Sequence, residues 1–442
     1  TSKMWRWGNM LTKYPYAVIA ASVLIIGVIA WPIKDMQLGL PTDEFAARDS
    51  TERKAYDLMA KGFGDGASGP LLILVEDMPA TSDEDRDAVR IPIMQEYGKQ
   101  VTEQTAAAEA SIRQQAAQVA SPEQYAALQQ QIATMQAEGE KQKQDALKEI
   151  EKQVALYAPL YQYQQVAERI AKLDNVELAM PAATAKDGRV GVIQVIPKSG
   201  PSDQATIDLV TNLRSGDTQK DALKQSGATF GVTGSTASQI DINQKLSDAL
   251  PVYLAVVVGL SLVLLIVAFR SILVPLKATL GFLLSVAAMF GALVAVFQWG
   301  WFGIADAPGP IVSMIPIIAI GILFGLAMDY EFFLVSGMHE AHQHTRDSHK
   351  AVLRGFHQGA KVVIAAAAIM VSVFAGFITN HDATVQAIGF ALTVGIFVDA
   401  FIVRMTIVPA VMHLLGNSAW WLPKWLDRIV PHVSIEGDSK HK

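Results

Sequence analysis

The sequence predicts an α-helical membrane bundle of six spans, arranged one plus five, with an extracytoplasmic α+β domain looped out after the first span and carrying a long helical hairpin. Three observations predict it. Hydrophobic residues make up 51% of the 442 and the mean hydropathy is positive, yet charged residues still reach 18%, which suits a polytopic membrane protein with a large aqueous part. Six apolar stretches reach spanning length, at residues 14–33, 251–269, 272–297, 311–336, 361–379 and 384–414. More than two hundred residues of ordinary soluble composition separate the first stretch from the second, whereas short loops join the other five.

From the N-terminus, the first stretch has basic flanks and an apolar core longer than that of a secretory signal, with no small-residue cleavage pattern behind it. A retained span is expected. Residues 35–49 read as a turn-rich linker. Residues 51–63 have helical spacing through Ala55, Leu58 and Met59 before the breaker Gly64-Asp65-Gly66, and the apolar run 70–75 reads as a buried strand. Further on, 161–173 and 202–213 read as helices, 176–180 and 189–196 as strands around the turn Lys186-Asp187-Gly188, and 229–233 as one more strand. This order matches a ferredoxin-like α+β sandwich with a helical excursion inserted. Residues 239–249 lead as a helix into the second span.

The excursion, about 85–157, is rich in Ala, Gln, Glu and Lys, with Met94, Val101, Ala108, Ile112 and Val119 at heptad-like intervals. Ser121-Pro122 interrupts it and starts a second helix, because Pro is favoured at the first helical position behind a Ser cap. Tyr125, Leu128, Ile132, Met135, Leu147, Ile150 and Val154 line one side of that helix. An antiparallel hairpin is expected, each arm extending about 50 Å at 1.5 Å per residue. It serves either as an arm that meets an envelope protein or another subunit, or as a spacer packed on its own domain.

Charge assigns the sides. Lys3, Arg6, Lys13, Arg270, Lys277, Arg346, Lys350, Arg354, Lys361, Lys424 and Arg428 all fall on one face, whereas the opposite short loops 299–310 and 380–383 hold Asp306 and Asp382 but no Lys or Arg. The basic face is expected to be cytoplasmic, with both termini, in an inner (plasma) membrane. The looped-out domain has about ten more acidic than basic residues and accounts for the net charge of −6, which argues against nucleic acid as a partner. With no cysteine in the chain, disulfides, thiolate metal sites and cysteine nucleophiles are excluded.

The candidate chemistry lies inside the spans. Asp329, followed at once by Tyr330, stands near the end of an apolar run, and a carboxylate at that depth is a functional-site hypothesis by default. A desolvated Asp can titrate, and a phenol both donates and accepts, so the pair has the chemistry of a proton relay. Leu326 and Phe333 share its helical face, as relay surroundings or as simple core. Asp399 and Arg404, five apart in the last span, are not forced into an intrahelical pair; Asp399 is a relay neighbour in this reading, Arg404 a structural or snorkelling residue. Glu331 faces away from Asp329 and either snorkels or pairs with a base. Gly321 and Gly325 form a Gly-x-x-x-Gly ridge for close helix packing.

His339, His342, His344, His349 and His357 cluster after the relay helix, but match no standard zinc spacing, and 348–359 reads as a helix lying in the cytoplasmic interface. No metal or other cofactor is expected. Trp420, Trp421 and Trp425 with Lys424 and Arg428 make an interfacial anchor in the tail.

Three long stretches carry a family resemblance: 321–336 (GILFGLAMDYEFFLVS), 53–75 (RKAYDLMAKGFGDGASGPLLILV) and 421–432 (WLPKWLDRIVPH). They resemble the C-terminal half of MMPL transporters, in the resistance-nodulation-division superfamily of actinobacteria and relatives. The resemblance covers the chain apart from the hairpin. It implies a porter-like domain over 34–250, flanked by a first segment and span at 1–33, a five-span bundle at 251–414 and an interfacial tail at 415–442. It implies outward movement of lipids, glycolipids or other amphiphiles driven by a proton gradient, with Leu326 and Phe333 at positions that bind inhibitors in the family. Family members have two such repeats, each with an Asp-Tyr pair on its fourth span, whereas this chain holds one repeat and begins with Thr. A half of a longer transporter is therefore expected, its partner the N-terminal half; a half-size homodimer is the alternative. The competing class is a non-transporting lipid-sensing or scaffolding subunit. An enzyme is not expected, because the outer domain has no phosphate loop, catalytic triad order or convincing metal-ligand motif.

Overall fold

The computed structural model describes residues 3–119, 121–223, 227–345 and 348–431. Arg346 and His432, and the side chains of Lys3, His344 and His349, lie outside the described residues. The chain runs through α1 (Lys3–Lys13), α2 (Pro15–Ala30), β1 (Leu38–Gly39), α3 (Thr51–Phe63), β2 (Leu71–Glu76), α4 (Asp83–Ala116), α5 (Pro122–Ile170), β3 (Val176–Thr184), β4 (Gly191–Pro197), α6 (Gln204–Arg214), α7 (Gly216–Leu223) and β5 (Thr229–Gly234). It continues through α8 (Ser235–Phe269), α9 (Leu273–Leu293), β6 (Ile311–Val312), α10 (Ile315–Thr345), α11 (Ser348–Gly376), α12 (Ala383–Phe397), a π-helical segment (Val398–Ile407), α13 (Val408–Leu415) and α14 (Lys424–Asp427). Two compact units result: Met59–Ile240, and Thr1–Leu58 together with Asp241–Lys442.

In the first of these, four antiparallel strands lie in the order β3-β4-β2-β5, the connectivity of two interleaved βαβ units. Alternation does the sorting: Leu71, Ile73 and Val75 of β2 are buried while the residues between them are exposed. The end of α5 and helix α6 cover this face through Tyr163, Val166, Ile170, Leu209 and Leu213. Tyr163 is fully buried and donates its hydroxyl hydrogen to the Gly188 carbonyl at 3.1 Å.

Burial, with a smaller contribution from Asp187, pushes the Tyr163 phenol up to about 12. The fold thus favours the neutral phenol. That preference is fully present below the unfolded value near 10 and is lost as pH rises from there through the folded value. Urea denaturation of this unit should show stability falling across that window, and Tyr163→Phe should remove the fall while costing about 1 kcal/mol at neutral pH. An unchanged alkaline profile in Tyr163→Phe would assign the loss elsewhere.

Helices α4 and α5 run antiparallel at their bases, where Ile150, Val154 and Ala158 bury against Val89, Ile93 and Tyr97. Arg90 forks onto Glu151 at 2.8 and 3.2 Å and holds that carboxyl below the usual range, and Gln162 reaches Asp85 at 3.0 Å. A Ser82–Asp85 capping box starts α4 and Ser121 caps α5. The 49 residues of α5 absorb the separate helix expected at 161–173, because one buried stripe continues from Ile150 to Ile170.

Among the described residues, six helices are long and apolar enough to cross a membrane: Pro15–Asp35, Ser235–Phe269, Leu273–Gln298, Ile315–His342, Lys350–Thr379 and Ala383–Trp420. The third and sixth are mostly buried; the others show broad apolar surfaces outward. A two-residue parallel clip joins β1 to β6, with Ile311 and Ser313 donating to the carbonyls of Gln37 and Gly39 at 2.8 Å. The residues expected to form a separate interfacial helix instead begin α11, since Ala351, Val352, Phe356 and Ala360 are buried.

The closest approach of α10 and α11 explains that difference. A Cβ added at Gly355 would meet the Met338 backbone at 2.4 Å, and one at Gly359 the Leu334 Cα at 3.2 Å. Here Gly355-x-x-x-Gly359 lets two backbones touch. Gly321 meets only the Tyr253 hydroxyl, at 2.8 Å, and Gly325 meets nothing within 4 Å, so the expected ridge is not a packing seam of this chain. Gly355→Ala should lower stability by about 1–3 kcal/mol, read as the thermal midpoint in detergent; an unchanged midpoint would show that the helices can part freely.

Candidate functional site

Four ionisable side chains, two acids and two bases, meet inside the bundle. Glu331 on α10, and Asp399 and Arg404 on the π-helical segment, are fully buried, and Lys277 on α9 is 8% exposed. Lys277 Nζ donates to Glu331 Oε1 at 2.5 Å, while Arg404 Nη1 donates to the other Glu331 oxygen. The Arg404 Nε donates to Asp399 Oδ2 at 3.3 Å, and Ser285 Oγ on α9 donates to Asp399 Oδ1 at 3.0 Å. The chain Lys277–Glu331–Arg404–Asp399–Ser285 therefore sums to zero charge and ties three elements together. Such neutrality is what a low-dielectric interior demands, since an unpaired buried ion is severely penalised.

The Asp399–Arg404 contact follows from the local helix. In an α-helix, residues five apart point to different sides, but a π-helix closes its hydrogen bonds from i to i+5 and brings them onto one side. Thr406 marks that geometry by donating its hydroxyl to the Phe401 carbonyl, five residues back, at 2.9 Å. Pro409 ends the run. It has no N–H, so it cannot bond the Met405 carbonyl four residues earlier, and the Trp7 indole donates to that oxygen at 3.1 Å.

Asp329 lies elsewhere. It is exposed on the outer side of α10, with no hydrogen bond or ion pair among the described residues. Met314, Ile318, Ile322, Gly325, Asp329 and Phe333 are all exposed and recur at three- and four-residue intervals, an apolar stripe with one carboxylate in it. Leu326 is half-buried beside the stripe. Tyr330 turns inward: it is 5% exposed, its hydroxyl has no hydrogen-bond partner among the described residues, and Asp399 and Asp329 both act on it electrostatically.

Several sequence expectations change at this point. Asp399 is committed to Arg404 and Ser285, so the structure does not bring it against Asp329. Of the two roles expected for Arg404 the structural one holds: it is fully buried and paired, and does not snorkel. Glu331 takes the second of its two expected roles and pairs with bases, one of them Lys277, which was read only as a cytoplasmic-face cation. Ser285 gave no signal at all. The two acids could have been paired with bases from one rule, that an intramembrane charge requires a counter-charge. His339 and His342 stack on Trp420, ring centres 4.7 and 5.7 Å away, rather than converging on a common centre.

Comparison with known proteins adds an independent line. The family model described as MMPL matches residues 82–433. Over 98% of this chain, the sequence is 39% identical to Membrane protein YdfJ of Bacillus subtilis, covering 49% of that protein. It is 28% identical, again over 98% of the chain, to the Mycolic acid-containing lipids exporter MmpL11 of Mycolicibacterium smegmatis, covering 38% of it. Over 61% of the chain it is 35% identical to the Heme uptake protein MmpL11 of Mycobacterium tuberculosis, covering 28% of that protein. The chain thus spans about half the length, or less, of the curated relatives it matches.

Proposed function

Because this chain belongs to the MMPL family, as the match over residues 82–433 shows, we propose that it is half of a proton-driven exporter of lipids, glycolipids or other amphiphiles. The observation that carries the proposal is Asp329: an exposed carboxylate, unpaired among the described residues, set into an apolar stripe on a helix of spanning length, while the buried acids and bases of the bundle pair with one another. In water such a residue is ordinary. At membrane depth it requires a facing partner, and the stripe from Met314 to Phe333 is the surface we assign to the N-terminal half of the same transporter, whose own Asp-Tyr pair would face this one.

Asp329 then takes up and releases the proton, and Tyr330, next to it in sequence and buried where Asp329 is exposed, is the residue we assign to link it to the Asp399–Arg404–Glu331–Lys277 network. A change of charge at Asp329 alters the pairing across the stripe and tilts α10, which the network couples to α9 and the last span. In this reading unit Met59–Ile240 is the porter-like domain on the outer side of the membrane, both termini are cytoplasmic, and α4 with α5 forms an arm for an envelope protein. Exposed apolar residues far from the packed base, Tyr125 at 58% and Met135 at 38%, support such a contact.

The full-length protein reconstituted in vesicles with a pH gradient should move a fluorescent amphiphile between leaflets, and a protonophore should stop it. Binding of the amphiphile without movement, or movement indifferent to the gradient, would favour a lipid-sensing or scaffolding subunit.

A further inference from the structure

A groove of ≈820 Å³ opens on the side of the bundle where α2 ends, lined by that helix, the end of α9 and Phe390 of α12. Its lining is apolar, with Trp31, Trp299, Trp301 and Phe302 around it, in the size range of ligand sites, about 300–1,000 Å³. The rim is built at a conformational cost. Gly300, Phe302 and Gly303 all have positive φ, at 75°, 64° and 62°. For Gly that is free; for Phe it is strained. Yet Phe302 is 84% exposed and touches Trp301 edge-on at 6.4 Å, so packing within the chain does not offset the strain. What would offset it is an apolar body in the groove.

Charge narrows the class of occupant. Lys34 Nζ lies 4.3 Å above the Trp31 ring, at the groove's edge, and forms no ion pair among the described residues. Tryptophans at this level mark the membrane–water interface, so the cation stands where headgroups lie and the groove where acyl chains lie. We infer that this groove holds one membrane lipid, its acyl chain against Trp31, Trp301 and Phe302 and its anionic headgroup at Lys34. The site is separate from the charged network, and the inference does not rest on proton coupling: Asp329→Asn should bind the lipid as the unmodified protein does.

Gly27 supplies the means to test it. It lines the groove, and an added Cβ would meet nothing within 4 Å, so the side chain of Gly27→Leu starts from open space and occupies the groove. Native mass spectrometry of the full-length protein with phosphatidylglycerol and phosphatidylcholine of matched chains should show retention of one phosphatidylglycerol, at least about tenfold preferred. Gly27→Leu should lose it; Gly259→Leu on α8, also open within 4 Å, should keep it. Lys34→Gln should abolish the preference for the anionic lipid and Lys34→Arg should restore it. A phosphatidylglycerol with a photoreactive chain should label α2 and the 299–303 segment of the unmodified protein. Equal retention in Gly27→Leu, equal loss in Gly259→Leu, or labelling spread evenly over α8 and α11 would each overturn the inference.

Discussion

Asp329→Asn in the full-length protein is expected to reduce gradient-driven lipid export on the order of 10²-fold, the scale on which loss of an obligatory proton-transfer group acts. The fold should survive the change. Asn keeps the size of the side chain and removes a charge that hydrocarbon penalises, so the thermal midpoint should not fall. Asp329→Glu, which keeps a protonatable group on the same stripe, should retain part of the flux. Tyr330→Phe should reduce export with little loss of stability, because its hydroxyl has no hydrogen-bond partner among the described residues to lose. Undiminished export in Asp329→Asn at ordinary expression would end the relay reading, whatever the other variants did.

The opposite pattern, large for stability, is expected at Arg404. Its guanidinium serves two buried carboxylates, so Arg404→Gln leaves the cluster with a net negative charge in a place that cannot solvate it. Breaking a buried pair in this way costs about 3–5 kcal/mol, read as the unfolding midpoint in detergent. Adding Asp399→Asn returns the remaining pair, Lys277 and Glu331, to zero net charge. The double variant should therefore recover most of the loss, a coupling well above the additivity expected of independent sites, about 0.3–0.5 kcal/mol. If the double variant is as unstable as the sum of the singles, charge balance is not what holds the network.

The contrast between these positions marks how far the sequence could be read. The helix at Thr51–Phe63 and the apolar stretches that became spans were legible because their signal is local: periodicity, length and caps act over a few turns. Asp329 was legible because one carboxylate in an apolar run is conspicuous by itself. The network around Glu331 was legible only in part: a base for Glu331 could be expected, but which bases meet it could not. Lys277 follows a short loop and reads as one more cation beside it; its inward direction depends on which face of α9 packs. The spacing of Asp399 and Arg404 reads as non-facing under the geometry of an α-helix and becomes a contact only when the backbone takes the rarer winding. The β1–β6 clip, two residues on each side and far apart in sequence, has no local signature at all.

That rarer winding gives the last span the character of a screw with one thread too many. A π turn holds an extra residue for every turn it replaces, and ten consecutive residues so wound, Val398–Ile407, are far more than the single-turn bulge usually found. Rewinding any part of the segment to α geometry passes one residue along the thread. Between Asp399 and Arg404, one residue fewer would turn everything beyond it by about 100° and shift it by about 1.5 Å, enough to take Arg404 off the side it shares with Asp399. The winding of the backbone, and not the five-residue spacing alone, is thus what puts both groups on one side of the span.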